Sequence, residues 1–273
     1  MVNPLSSNPP FLTNQSTPFI LWCYTGGGHF FEEILEQIKK VNHESISIIF
    51  VFSSAGALVA NRYGFFWNLV HSNMRKENLH FIFENNVAQY NIKNMLQKAD
   101  FSYSIISNDP TFSVAIVLAN SEAKCIVACP LTANTAAKLA LGITDSLISN
   151  LLSSGLKSGK KIGILPTDAT FKTVATRLPI RQNKFVSSDH INASVCKFNA
   201  LKELSNKMIQ FQPQFCVGCQ VCVKKYPGVF SYGDEIEVNV REVDSKNIQN
   251  LSFELTFLQT PSEIYPFIKQ FFQ

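Results

Sequence analysis

No apolar stretch in this 273-residue chain approaches the ~20 residues that a membrane-spanning helix needs; the longest, such as residues 46–52, are strand-sized. The first 17 residues, MVNPLSSNPPFLTNQST, lack the basic and apolar segments of a secretory signal. They are rich in Pro, Asn and Ser and read as a disordered leader. Basic runs are missing too, and the net charge is only +4, so no nucleic acid partner is indicated. Charged residues make up just 16% of the chain against 46% apolar, which fits a globular protein with a sizeable core. An even set of cysteines is also absent. Seven cysteines with no secretory signal argue against a disulfide framework and toward metal or redox use in a reducing compartment. The expectation is a soluble, cytoplasmic protein with no membrane partner.

What is present first is a β-then-α rhythm from residue 18 to about 170. Residues 19–24 are a short apolar run ending in Thr25-Gly26-Gly27-Gly28-His29. Residues 31–41 carry apolar side chains at 31, 34, 35, 38 and 41, a helical spacing. Residues 45–52 are β-branched and aromatic, and Ser53-Ser54-Ala55-Gly56 opens another helix-like stretch. A third strand is expected over 101–107, then Asp109-Pro110 as a helix start for 110–120. Strand 124–129, one long helix over 135–153 and strand 161–165 follow. Such alternation implies βαβ units and a doubly wound parallel α/β sheet. The loops 25–29, 53–56, 129–135 and 166–170 all fall at strand C-termini, where these sheets bind ligands.

After Thr170 the pattern changes. Residues 173–192 read as a polar loop, and four cysteines crowd between 196 and 222. The division expected is a leader over 1–17, an α/β domain over 18–185, and a cysteine module with a C-terminal extension over 186–273. Three thiolates at C-x2-C-x2-C spacing (Cys216, Cys219, Cys222) can reach three corners of an iron–sulfide cube, with small residues between them turning amides toward sulfur. Zinc is the rival, but zinc sites usually pair two C-x2-C knuckles and the sequence has no second one.

The cysteine segment resembles a bacterial-type ferredoxin, whose run is C-x2-C-x2-C-x3-C-P. Tyr226 stands where the fourth cysteine would be, while Pro227 is kept. Cys196-Lys197-Phe198-Asn199-Ala200-Leu201 is similar to the C-P-x-N-A-I segment that closes a ferredoxin's first run, although the cysteines expected before it are Val186, Asp189 and Asn192. The resemblance implies a small ferredoxin-like module with a single [4Fe–4S] cluster on Cys196, Cys216, Cys219 and Cys222. A three-cysteine [3Fe–4S] site and an empty, degenerate one are the alternatives.

A second resemblance covers residues 18–170. Cys129-Pro130-Leu131-Thr132-Ala133-Asn134-Thr135, followed by Gly142-Ile143-Thr144-Asp145, resembles the PASANT motif of the homo-oligomeric FMN flavoproteins. That family includes cysteine decarboxylases, prenylated-flavin-making transferases and archaeoflavoproteins. The resemblance implies FMN held by Gly26, Gly27, Gly28, His29, Ser53, Pro130, Leu131, Thr132, Asn134 and Thr135. Glycine amides can approach a phosphate at a helix N-terminus; helix capping is the competing role for Ser53, Thr132 and Asn134. The decarboxylases' catalytic His before the motif is missing, since residues 81–128 contain none, and so is their Met-Asn clamp after Pro166. Thr25-Gly26-Gly27-Gly28-His29-Phe30 instead resembles the opening of the archaeoflavoproteins and flavin-dependent dihydromethanopterin reductases. What this implies is a flavin/iron–sulfur reductase. It would be fed by a ferredoxin-type donor and would pass electrons through FMN to a small acceptor such as a dihydropterin. A homo-oligomer is expected by analogy; the alternative functions are an electron carrier without a small substrate and, less favoured, an FMN-dependent decarboxylase-like enzyme.

Overall fold

A computed structural model describes residues 18–84, 91–106, 111–169, 173–251 and 254–272. In its first part it contains β1 (Phe19–Tyr24), α1 (Phe31–His43), β2 (Ser47–Phe52), α2 (Ser54–Arg62), α3 (Phe65–Val70), β3 (Leu79–Phe83), α4 (Ile92–Lys98) and β4 (Ser102–Ile105). Then come α5 (Thr111–Ala119), β5 (Ile126–Leu131), α6 (Ala133–Ala140), α7 (Leu147–Lys157) and β6 (Ile162–Pro166). Short pieces follow: β7 (Thr173–Arg177), β8 (Arg181–Gln182), β9 (Val186–Ser187), β10 (Leu201–Glu203), β11 (Met208–Phe211), α8 (Val221–Lys225) and β12 (Phe230–Ser231). The chain ends in β13 (Glu235–Asn239), α9 (Glu242–Asn250), β14 (Thr256–Phe257) and α10 (Ile264–Lys269).

The large sheet has seven strands in the order β14-β6-β5-β1-β2-β3-β4, and every pair in it is parallel. The central strands β1, β2 and β5 are buried at every residue, as a sheet covered on both faces requires. Alternate residues feed two cores. Ile20, Trp22, Tyr24, Phe50 and Phe52 face the core shared with α1, α2 and α3. Leu21, Cys23, Ile49 and Val51 face the one built with α5, α6 and α7. The abundant Phe is used here: Phe50 stacks on Phe81 at 5.4 Å, Phe52 on Phe83 at 5.3 Å, and Phe65 meets Phe50 edge-on.

The doubly wound parallel sheet matches the sequence expectation, with three corrections. Leu79–Phe83 is a strand between the second and third expected ones. The long helix expected over 135–153 is two helices. Gly142 at φ +71° closes α6, where the Ile143 and Gly142 N–H groups return to the Lys138 and Leu139 carbonyls, and a Ser146/Ser149 capping box starts α7. Part of the polar loop over 173–192 is strand: β7 pairs antiparallel with β13, and β8 with β12. Asp109-Pro110, the expected helix start, lies outside the described residues, as does the leader. The C-terminal extension returns to the large sheet. Here β14 extends it beyond β6, and α10 packs with α1 in the first core.

The cysteine-bearing segment forms a third, smaller core. Cys216, Cys222, Ile209 and Phe230 are buried in it beside the three-stranded sheet β10-β11-β9. Val217 points the other way and is buried in the first core of the large sheet.

Candidate functional site: a crevice at the switch point and a four-cysteine cavity

From β1 the chain winds outward through β2, β3 and β4, then returns to lay β5 against the other side of β1 and winds away through β6. The strand order therefore reverses between β1 and β5. Crevices at such reversals, outside the strands' carboxyl ends, are where open α/β sheets bind ligands. The loops flanking this one are 25–29 and 130–135, the two loops in which the sequence placed its glycine triplet and its Pro-Leu-Thr-Ala-Asn-Thr motif.

Thr25 stitches the two loops together. Its buried hydroxyl donates to the Pro130 carbonyl at 2.7 Å and accepts from the Thr132 N–H at 2.9 Å. The glycines are tightly packed. A Cβ on Gly27 would meet the Thr167 methyl at 3.0 Å and Pro130 at 3.3 Å, and one on Gly28 would run into the Tyr63 ring. Protein neighbours thus already enforce the triplet at two positions. Ser53 caps α2, accepting from the Gly56 N–H at 3.0 Å. Leu131 is buried, and its carbonyl accepts from the Thr167 N–H at 2.9 Å. Thr132 caps α6 without using its side chain on the backbone; its hydroxyl lies 3.2 Å from that of Thr135. Asn134 is exposed.

His29 is the anomaly. Both ring nitrogens are buried without a hydrogen-bond partner among the described residues. Burial pushes its pKa below the ordinary imidazole value, while nearby Asp168 pulls it back up. Orphaned buried polar atoms ask for a partner that the chain does not supply. Together with the N-termini of α1, α2 and α6 on the crevice side, they fit a planar, polar, anionic group such as FMN. A separate cavity of about 200 Å³ borders Gly28, lined by Phe31, Glu33, Tyr63, Arg177, Tyr232 and Glu235 among others.

The cysteines meet elsewhere. Cys196, Cys216, Cys219 and Cys222 line one cavity with Ile180, Phe198 and Phe211 among its apolar walls. Backbone amides point at the sulfurs: Ala200 N–H donates to Cys196 Sγ at 3.3 Å and Gly218 N–H to Cys216 Sγ at 3.5 Å. Burial is the main cause that pushes Cys216 up to about 12 and Cys222 up to about 11, so both thiols stay protonated unless a metal displaces the proton. Among the described residues, no group of three or more His, Cys, Asp or Glu side chains is assembled to hold a metal ion. Cys23 and Cys129 are core residues of β1 and β5, and Cys125 is buried just before β5.

A family model described as Flavoprotein matches residues 10–210. The chain belongs to the flavoprotein family. Among curated proteins, this flavoprotein is 28% identical over 255 residues to the dihydromethanopterin reductase (acceptor) of Methanocaldococcus jannaschii, covering 91% of this chain and 94% of that one. It is 24% identical to the same-named protein of Methanosarcina mazei, covering 90% and 96%. Among solved structures it resembles Burkholderia xenovorans DmrB in complex with FMN, described as a cubic protein cage for redox transfer. The TM-score is 0.51 at 14% identity, with 94% and 96% of the two chains covered. That likeness shows the shared fold. No helix among the described residues is long and apolar enough to cross a membrane.

Two further residues organise the flavoprotein's crevice. Thr25 opens the glycine-loop motif, but its clamp was not expected from it. Glu84, at the end of β3, carries no motif signal: its carboxylate accepts from the Ser54 N–H at 3.2 Å and the Leu147 N–H at 2.7 Å, tying the first turns of α2 and α7 together. A carboxylate on two helix N-termini is favourable electrostatics. It also occupies a donor of α2 that a phosphate could otherwise use. Asp145 pairs with Lys138 through both oxygens, at 2.9 and 2.7 Å, and holds the segment after α6.

Proposed function

We propose that this flavoprotein is an FMN-dependent reductase acting on a small oxidised heterocycle, with dihydromethanopterin or a related dihydropterin as the acceptor. The observation that carries the reading is the switch-point crevice, where Thr25 clamps the glycine loop to the 130–135 loop beside an unpartnered His29. Relatives named for dihydromethanopterin reduction, matching more than nine-tenths of their own length, support the acceptor class.

The residues have divisible roles. The glycine-loop amides and the Ser53 hydroxyl hold the phosphate end. Pro130, Leu131, Thr132, Asn134 and Thr135 border the ring end, and neutral His29 offers one nitrogen as donor and the other as acceptor. When bound, FMN supplies two-electron hydride chemistry to the acceptor. The cavity beside Gly28, walled by Phe31, Tyr63 and Tyr232, is where the small heterocycle would approach the glycine loop.

The second half of the proposal is that the four-cysteine cavity holds one [4Fe–4S] cluster as the electron inlet, filled by a ferredoxin-type donor. Support comes from four thiols around one apolar cavity with amides aimed at sulfur. A single ion needs ligands converging on one point, whereas a cluster spreads them over the corners of a cube. Self-association into a homo-oligomer is supported by apolar side chains left in water on α5 and after α6, Phe112 at 53% and Leu141 at 69% exposure.

The test is anaerobic purification with flavin, iron and sulfide quantitation, followed by assay with a low-potential donor and dihydromethanopterin. The expected result is one FMN and about four irons per chain, with the acceptor reduced. An FMN-loaded protein whose flavin is neither perturbed nor reoxidised by any dihydropterin would be an electron carrier, and the reductase reading would fall.

A further inference from the structure

The two candidate sites touch through four consecutive residues, 61–64, at the turn from α2 to α3. Asn61, fully buried, donates its side-chain amide to the Cys216 carbonyl at 3.0 Å, across 155 residues of sequence. Tyr63 lays its ring over Gly28, so that a Cβ on that glycine would overlap the ring. Its hydroxyl donates to the Arg177 carbonyl at 2.5 Å. Gly64, at φ +87°, lies backbone to backbone against Gly218 at φ +68°; a Cβ on Gly218 would land on the Gly64 nitrogen, and one on Gly64 would meet the Gly218 carbonyl oxygen at 3.0 Å. Only glycine suits both positions, on conformation and on space. Gly218 is also the residue whose N–H donates to Cys216 Sγ, and Val217 beside it is sunk into the core that holds Tyr63.

We propose that residues 61–64 are a positioning element coupling the cysteine cavity to the flavin loop, so that filling either site strengthens binding at the other. This rests on the reading that the chain holds both FMN and an iron–sulfur group. The physical reason is stiffness. Neither Gly64 nor Gly218 has a side chain that could rotate to absorb a shift, and packed backbones do not deform continuously. A displacement of the 216–218 loop therefore passes to Gly64. The neighbouring Tyr63 ring is wedged on Gly28, so it passes to the glycine loop as well. Ligation of Cys216 would set the loop's position, which prepares the glycine loop, and linkage makes the effect reciprocal.

The experiment measures FMN affinity of the full chain by quenching of flavin fluorescence, anaerobically, before and after reconstitution with iron and sulfide. Iron retention with and without FMN is measured alongside. Coupling of the usual size predicts roughly tenfold tighter FMN binding by the iron-loaded chain, with a matching gain in iron retention. Tyr63→Leu, which removes the ring from Gly28, should bring the ratio close to one while iron content holds. Tyr63→Phe keeps the ring and loses only the bond to Arg177, so it should keep the ratio. Equal FMN affinity with and without iron in the wild-type chain overturns the coupling alone, and that measurement decides even where the Leu variant does not fold. A Leu variant with an undiminished ratio overturns it too. A chain that takes up FMN but no iron sinks the coupling together with the inlet reading on which it rests.

Discussion

Replacing Thr25 by Val removes one hydroxyl and almost nothing else in volume. That hydroxyl holds two strand ends together, donating to Pro130 and accepting from the Thr132 N–H in a site 1% exposed. The Pro130 carbonyl keeps a weaker partner, the Thr25 N–H at 3.4 Å. The Thr132 N–H loses the acceptor that holds it. Leaving a buried donor unmade costs about 1–3 kcal/mol, so the expected destabilisation is about 2 kcal/mol. With an m-value of about 2–3 kcal/mol/M, the urea midpoint should fall by roughly 0.7–1 M. Freed from the clamp, the loops on either side of the switch point no longer share one register, and FMN affinity should fall about tenfold, equivalent to ~1.4 kcal/mol. Thr25→Ser, which keeps the hydroxyl, should retain most of both. The assays are urea unfolding followed by far-UV circular dichroism and flavin-fluorescence titration. A Val variant within about 0.5 kcal/mol of the parent, the ordinary scatter of a neutral change, with unchanged FMN affinity, would show that the clamp does not organise the crevice.

Two further outcomes are expected. Glu84→Gln keeps the side chain's shape but trades one carboxylate oxygen for an amide that cannot accept, so one of the Ser54 and Leu147 N–H groups goes unmet. A loss of about 1–2 kcal/mol in chemical denaturation is expected, and a variant as stable as the parent would remove Glu84 from the account. His29 is held below its ordinary pKa of ~6.5 by burial. Below that pH the unfolded chain takes up a proton that the folded chain resists, so stability falls as pH drops from about 6.5 toward the folded-state value. The apo-protein's urea midpoint should thus decline between pH 7.5 and 5.5, less steeply in His29→Gln; an identical decline in both would assign the effect to other groups.

The sequence by itself determined the parts governed by local rules. Strand-helix alternation announced the parallel sheet, because periods of 2 and 3.6 are properties of neighbouring residues. The glycine triplet, Ser53 and the 129–135 motif marked the strand ends that border the crevice, and the C-x2-C-x2-C run with Cys196 named the four thiols that share a cavity. What escaped depended on partners far along the chain. Leu79–Phe83 is only five residues long and has no alternation, so its identity as a strand comes from β2 and β4 on either side. β7 read as a polar loop because its partner β13 begins at Glu235. Thr25 opens a motif and Glu84 belongs to none, but the roles of both come from hydrogen bonds spanning 107 and 63 positions. Gly64 and Gly218 are lone glycines until folding sets their backbones against each other. Local geometry is written in adjacent residues, whereas the clamp, the helix tie and the contact between the two sites exist only once the chain has folded back on itself.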